Sequence, residues 1–188
     1  MDPVTDRAAS DLPASPEPVL EIERFFDAPR ALVFEMWTKG EHMHHWAAPD
    51  GFAVTFGSGD ARLGGKWRSA MKGPDGRELW LSGTYREIDP PHRLVFTHQW
   101  DGGVETVISV TLEEIDGRTR MRFRQTGFTS VESRDGHGGG WTESFATLDR
   151  YLHGWISADA ARAEAPDDGK VLEIERVFNA PRALVFKL

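Results

Sequence analysis

One stretch of this chain occurs twice. Residues 171–188, VLEIERVFNAPRALVFKL, restate residues 19–36, VLEIERFFDAPRALVFEM, with fourteen of eighteen positions identical at an offset of 152 residues. Solenoid repeats recur every 20 to 50 residues or roughly so, whereas 152 residues is the length of a whole compact domain. The chain therefore reads as one complete domain followed by the opening of a second copy. The mismatches, among them Asp27 against Asn179, point to a tandem duplication rather than a stretch copied letter for letter; both of those residue types can cap a helix. The expected organisation is a disordered, proline-rich leader over 1–18, a domain over 19–157, a polar linker over 158–170 and the truncated copy over 171–188.

Hydrophobic residues make up 39% of the sequence and seven residues are Trp, which suffices for a substantial core. A net charge of −8, with no concentration of Lys or Arg, argues against a nucleic-acid surface. The absence of cysteine excludes disulfide and thiolate–zinc scaffolds and fits a reducing compartment. No apolar run approaches a membrane span. A soluble, cytoplasmic protein is expected.

Along the domain, Val19–Phe26 alternates apolar and acidic residues as a half-buried strand does. Asp27 and Pro29 read as a helix start, Asp27 as the capping acceptor, ahead of a helix that buries Leu32, Val33, Met36 and Trp37. A second short helix carries His42–Trp46. From Phe52 onward, turn signals such as Pro74-Asp75-Gly76 and Asp116-Gly117 separate strands at 52–57, 66–72, 78–87, 93–100, 104–113 and 119–126. Gly136–Gly140 reads as a glycine-rich loop. Trp141, Phe145, Leu148, Leu152 and Trp155 then recur at helical spacing as one apolar stripe. The fold class expected is α+β of the helix-grip kind: a curved antiparallel sheet wrapped around a long C-terminal helix, with two short helices after the first strand.

That order resembles the START-like, or SRPBCC, superfamily. Within it, the wording resembles the family of the C-terminal domain of the activator of the ninety-kilodalton heat-shock chaperone ATPase. The resemblance rests on FDAPRALVFEMWT (26–38), HWAAPDGF (45–52), DARLGGKWR (60–68), GPDGRE (73–78), GTYREIDPPHRLVFT (83–97) and GWTESFATLDRYL (140–152), in family order. It implies a hydrophobic cavity between sheet and helix, used across the superfamily for lipids, hormones or polyketides. It also implies, from the eukaryotic relatives, a chaperone as partner. The family commonly has two adjacent aromatics and a glycine before the proline of the second motif, whereas this chain has Trp46-Ala47-Ala48-Pro49. That shrinks the wall at the cavity mouth, so no ligand preference carries over.

The residues themselves offer little classical chemistry. Of Glu41, His42, His44 and His45, one helical segment cannot aim three ligands at a metal, so the cluster reads as a solvated polar helix with Trp46 turned inward. No G-x-S-x-G elbow, nucleophilic cysteine or Walker spacing is present. Glu21/Glu23 and Glu113/Glu114 read as solvated outward strand positions. The aromatic pattern is more telling. Strand alternation places Trp67, Ser69 and Met71 on one face of their strand; by the same reasoning Phe96, His98 and Trp100 share a face of theirs, as do Met121 and Phe123. Facing Trp141, Phe145 and Leu148 of the long helix, with Trp46 nearby, they suit either a ligand pocket or a filled core.

Three functions compete. The first is a binding protein for a hydrophobic small molecule, oriented by polar groups such as Ser69, His98 or Gln125, with no metal or cofactor. The second is a chaperone partner or stress-related interaction module acting through its outer surface. The third is an enzyme of cyclase or hydrolase type, with His98 or a histidine of 42–45 as acid/base. Residues 171–188 carry a first-strand pattern without its sheet, so a disordered tail or strand exchange between chains is also expected.

Overall fold

The computed structural model describes residues 17–164. Expectations for the leader over 1–16, for 165–170 and for self-association through 171–188 fall outside the described residues. Within them, seven strands form a single antiparallel sheet: β1 (Leu20–Phe26), β2 (Ala53–Gly59), β3 (Lys66–Lys72), β4 (Glu78–Asp89), β5 (Arg93–Trp100), β6 (Thr106–Ile115) and β7 (Arg118–Thr126). Their order is β1-β7-β6-β5-β4-β3-β2, so six consecutive strands form a meander and β1 closes the far edge against β7. Two short helices, α1 (Arg30–Thr38) and α2 (Gly40–Trp46), follow β1, and α3 (Val131–Glu164) ends the described chain. This is the helix-grip α+β arrangement expected.

The hairpins sit where turn chemistry puts them. Asp116 and Gly117 both have positive φ (52° and 77°), the conformation that the two central residues of a type I′ hairpin turn require. At Pro74-Asp75-Gly76, the Asp75 carboxylate accepts the Arg77 backbone N–H while Gly76 takes φ of 81°.

Strand alternation divides the sheet into two chemically distinct faces. On the outer face, Arg124 and Arg122 of β7 stand opposite Glu21 and Glu23 of β1 and pair with them at 3.3 and 3.4 Å. Glu113 of β6 pairs with Arg120 and Arg122. The hydrogen bond from Arg120 holds the Glu113 carboxyl below its ordinary range. Of the glutamates read as solvated faces, Glu21, Glu23 and Glu113 are thus the acidic rungs of cross-strand ladders. On the inner face, Leu94, Val110, Phe123 and Ile22 form one row across four strands, and Tyr85, Phe96, Ile108 and Gln125 form the next.

Three local expectations are corrected. Asp27 does not cap α1, because its carboxylate is taken by Arg118 at 2.5 Å; Pro29 holds the N-cap position without a side-chain bond. Gly136–Gly140 is not a loop. Ser130 supplies the helix start, its Oγ accepting the Ser133 N–H at 3.1 Å, and α3 runs unbroken through the glycines. Each glycine there costs about 0.5–1 kcal/mol relative to alanine, a cost the packing of the rest of the helix overrides. The same helix continues to Glu164, so 158–164 is helical where a linker was expected.

Candidate functional site

The site is built where the first half of α3 crosses β3, β4 and β5. Phe145, Leu148 and Leu152 of α3 are sealed onto the sheet, each at most 2% exposed. Toward the N-terminus of α3 the packing opens. There a cavity of about 320 Å³ lies between the helix and the sheet, within the size range of small-molecule sites.

Register explains its walls. Met71 of β3 pairs with Leu79 of β4, Leu81 pairs with Trp100 of β5, and all four point to the inner face and line the cavity. Ala47, Pro49 and Phe52, between α2 and β2, form one rim. Gly136, His137, Gly140, Trp141 and Ser144 of α3 form the other. No Asp, Glu, Lys or Arg is among the lining residues.

The polar groups are few and mostly committed. The Trp141 indole N–H donates to Gln125 Oε1 (2.9 Å), the Gln125 amide donates to Thr106 Oγ1 (2.8 Å), and the Thr106 hydroxyl donates to the His98 carbonyl (2.8 Å). This buried chain of donors ties α3 to β7, β6 and β5 and fixes the Trp141 ring on the cavity wall. His137 is fixed as well. Its Nδ1 lies 2.8 Å from the Ser133 carbonyl, which can only accept, so Nδ1 carries the proton and Nε2 accepts the Trp100 indole N–H at 3.2 Å.

His98 is an exception. Its ring sits among Trp67, Trp100, His137 and Trp141, with centroids 5.6 to 6.0 Å away, and the residue is 4% exposed. Burial, followed by the nearby His137, pushes its pKa down to about 3, so the ring is neutral at physiological pH. Its Nδ1 is buried without a hydrogen-bond partner. A buried polar atom without a partner has a physical cost, and the residue that carries it lines the cavity.

A second cavity of about 320 Å³ lies on the other side of Ala47, between α2 and β2–β3, and is more polar. Ala47 is the one residue lining both.

Of the residues singled out from sequence, Met71, His98, Trp100 and Trp141 come together around the first cavity. Trp67 and Ser69 line the second. Trp46, Phe96, Phe123, Phe145 and Leu148 belong to the packed core; Trp46 donates its indole N–H to the Met36 carbonyl. Sequence reasoning missed Leu79 and Leu81, although pairing with Met71 and Ser69 would have placed them there. Of the α3 lining it found Trp141 but not Ser144, nor Gly136, His137 and Gly140, whose glycine-rich sequence reads as a loop.

The histidines of α2 do something other than expected. His42 is buried rather than solvated, with Nδ1 3.0 Å from the Tyr151 hydroxyl and its ring edge-on to Trp155 at 4.7 Å; burial lowers its pKa. His45 stacks on Tyr151 at 4.8 Å and His44 packs over Gly57. His42 and His45 brace α2 against the second half of α3, and His44 braces it against β2. Among the described residues, no three His, Asp or Glu side chains converge as metal ligands.

Residues 27–153 match the family described as Activator of Hsp90 ATPase homolog 1-like protein. The chain belongs to that family. Among solved structures, an AHSA1 protein from Silicibacter pomeroyi is 26% identical with a TM-score of 0.64, over 78% of this chain and all of that one. A protein from Arthrobacter aurescens is 27% identical with a TM-score of 0.66, over 72% and 86% of the two chains. One from Rhodobacter sphaeroides is 26% identical with a TM-score of 0.66, over 76% and 96%. No curated protein matches the sequence. Among the described residues, no helix is long and apolar enough to cross a membrane.

Proposed function

We propose that this AHSA1-like protein binds an uncharged, largely apolar small molecule in the cavity beneath the first half of α3. The observation that carries this reading is the pairing of an uncharged lining with one neutral, buried imidazole whose Nδ1 has no protein partner. Apolar walls supply affinity through removal of surface from water, and a single polar group supplies orientation. Met71, Trp100 and Trp141 are the wall residues of this reading and His98 is its polar anchor; Ser69 and Gln125, weighed earlier for that role, are bonded to the Phe56 carbonyl and within the buried chain respectively. Native mass spectrometry of freshly purified protein tests it: an added mass, released by organic solvent, is expected. A bare protein that also fails to quench its tryptophan fluorescence with the neutral dye N-phenyl-1-naphthylamine would end the proposal.

A second reading follows from the family name, stimulation of a chaperone ATPase. On its side stands an outer-face aromatic pair, Phe56 (42% exposed) and Trp80, 5.4 Å apart with Arg68 over the Trp80 ring. Titrating the protein into a chaperone ATPase assay, and repeating with Phe56→Ser, decides it. An unchanged hydrolysis rate eliminates this reading.

A further inference from the structure

We propose that the bare helix face at Gly136 and Gly140 determines which molecules the cavity admits: an uncharged, flat ligand lies against backbone there and reaches His98 with one hydrogen-bonding group. This rests on the small-molecule reading above and adds the surface that selects the ligand.

The two glycines are four residues apart and therefore share one face of α3, and both line the cavity. Neither is glycine for want of room, since a Cβ built on either meets no atom within 4 Å. Nor does the backbone demand glycine, because both lie within regular helix without positive φ. Gly138 has a different explanation: a Cβ there would come 3.2 Å from Leu20 Cδ1. With packing and backbone geometry set aside, what side chains at 136 and 140 would take up is the volume of the cavity itself.

The opposite wall supports a flat occupant. Trp100 and Leu81 are cross-strand partners on the sheet, so a ring-shaped ligand can be held between their surfaces and bare helix backbone. Independently of the glycines, His98 lines the same cavity, is 4% exposed, and leaves Nδ1 unpartnered. With the imidazole neutral and no ionised residue among the lining, an uncharged molecule bearing one hydroxyl, carbonyl or N–H group fits, whereas a carboxylate or ammonium would enter without a counter-charge.

The test uses the full chain and N-phenyl-1-naphthylamine, a neutral dye with fused rings and one N–H. Gly140→Leu places four carbons in the cavity. Gly139→Leu is the control, because Gly139 also has nothing within 4 Å but does not line the cavity. Both exchanges favour the helix. Gly140→Leu is expected to weaken dye binding by about tenfold or more, with a melting temperature at or above wild type, and Gly139→Leu to leave binding within about twofold. Should Gly140→Leu fail to fold, Gly140→Ala serves, with a smaller loss of affinity and raised stability expected. Equal affinity in wild type, Gly140 and Gly139 variants overturns the inference while leaving the carrier reading standing. A wild-type protein that binds no dye overturns both.

Discussion

With Phe145 as the boundary along α3, the half from it onward is filled in three layers, whereas the half before it is walled in two. In the filled half, Trp37 from α1 reaches between helix and sheet, its ring 5.9 Å from Phe145 and 6.3 Å from Phe123, and it meets the cavity wall at Trp141, also 5.9 Å away. Trp46 of α2 completes the cluster, 4.8 Å from Trp37. In the other half the chain leaving α2 contributes Ala47 and Pro49 at the rim, and α3 contributes glycines. Both halves draw on the same curved sheet and the same helix. The contrast teaches that the cavity is not a property of the sheet; it is set by what α1, α2 and the N-terminal turns of α3 do or do not insert.

Truncation on the two sides tests that contrast most forcefully. Phe145→Ala, in the filled half, is expected to cost about 3–5 kcal/mol, because it opens a hole that well-packed neighbours cannot close. Leu81→Ala on the cavity wall already faces space and is expected to fall below the 2–5 kcal/mol or so typical of Leu→Ala. Urea denaturation of both variants measures this. Equal losses would mean that the two halves pack alike.

A smaller effect comes from the buried chain at the boundary. Gln125→Leu deprives the Trp141 indole N–H of its acceptor and Thr106 of its donor, and is expected to cost about 1–3 kcal/mol. Because Trp141 loses its tether on the cavity side, dye affinity is expected to fall as well. Loss of stability with unchanged dye binding would show that the chain serves the fold alone.

How much of this was legible in the sequence depends on how local the signal is. Asp116-Gly117 specifies its hairpin through two residues, so the strands on either side could be placed to within a few positions. The inner face of the sheet was equally readable from alternation. The cavity was not, because Trp67, Phe96, Phe123 and Trp141 carry the same pattern whether they surround a ligand or one another. What separates the cases is the partner layer, above all Trp37, whose insertion depends on where α1 docks. The α3 stripe also misled at one end: Trp155 keeps the spacing of Phe145 and Leu148, yet it is exposed and meets His42 of α2.

Protonation of His98 probes the open half. His98 has its folded-state pKa pushed down to about 3, below the ordinary value of 6.5, so the unfolded chain binds the extra proton first. Its contribution is therefore complete above pH 6.5 and is lost as pH falls toward the folded value. Between pH 7.5 and 5.5 the loss is about 1.4 kcal/mol from this residue. His42, also lowered by burial, acts in the same direction from the filled half. His98→Phe is expected to flatten the pH dependence of melting over this window by His98's share. A variant as acid-sensitive as wild type would remove His98 from the account.

The gentlest test concerns the start of α3, which sets how firmly the glycine face is held. Ser130 caps the helix, with Oγ accepting the Ser133 N–H, and Ser133 in turn gives its carbonyl to His137. Ser130→Ala is expected to cost about 1 kcal/mol. That loss falls on a segment already weakened by four glycines between 136 and 140, whereas the filled half begins at Phe145 and is anchored by its own packing. Hydrogen exchange should therefore accelerate at the amides of 134–141 and remain unchanged at 145–152. Uniform acceleration along the helix would mean that α3 opens as one unit, and that the boundary between its two halves is one of shape without a matching difference in stability.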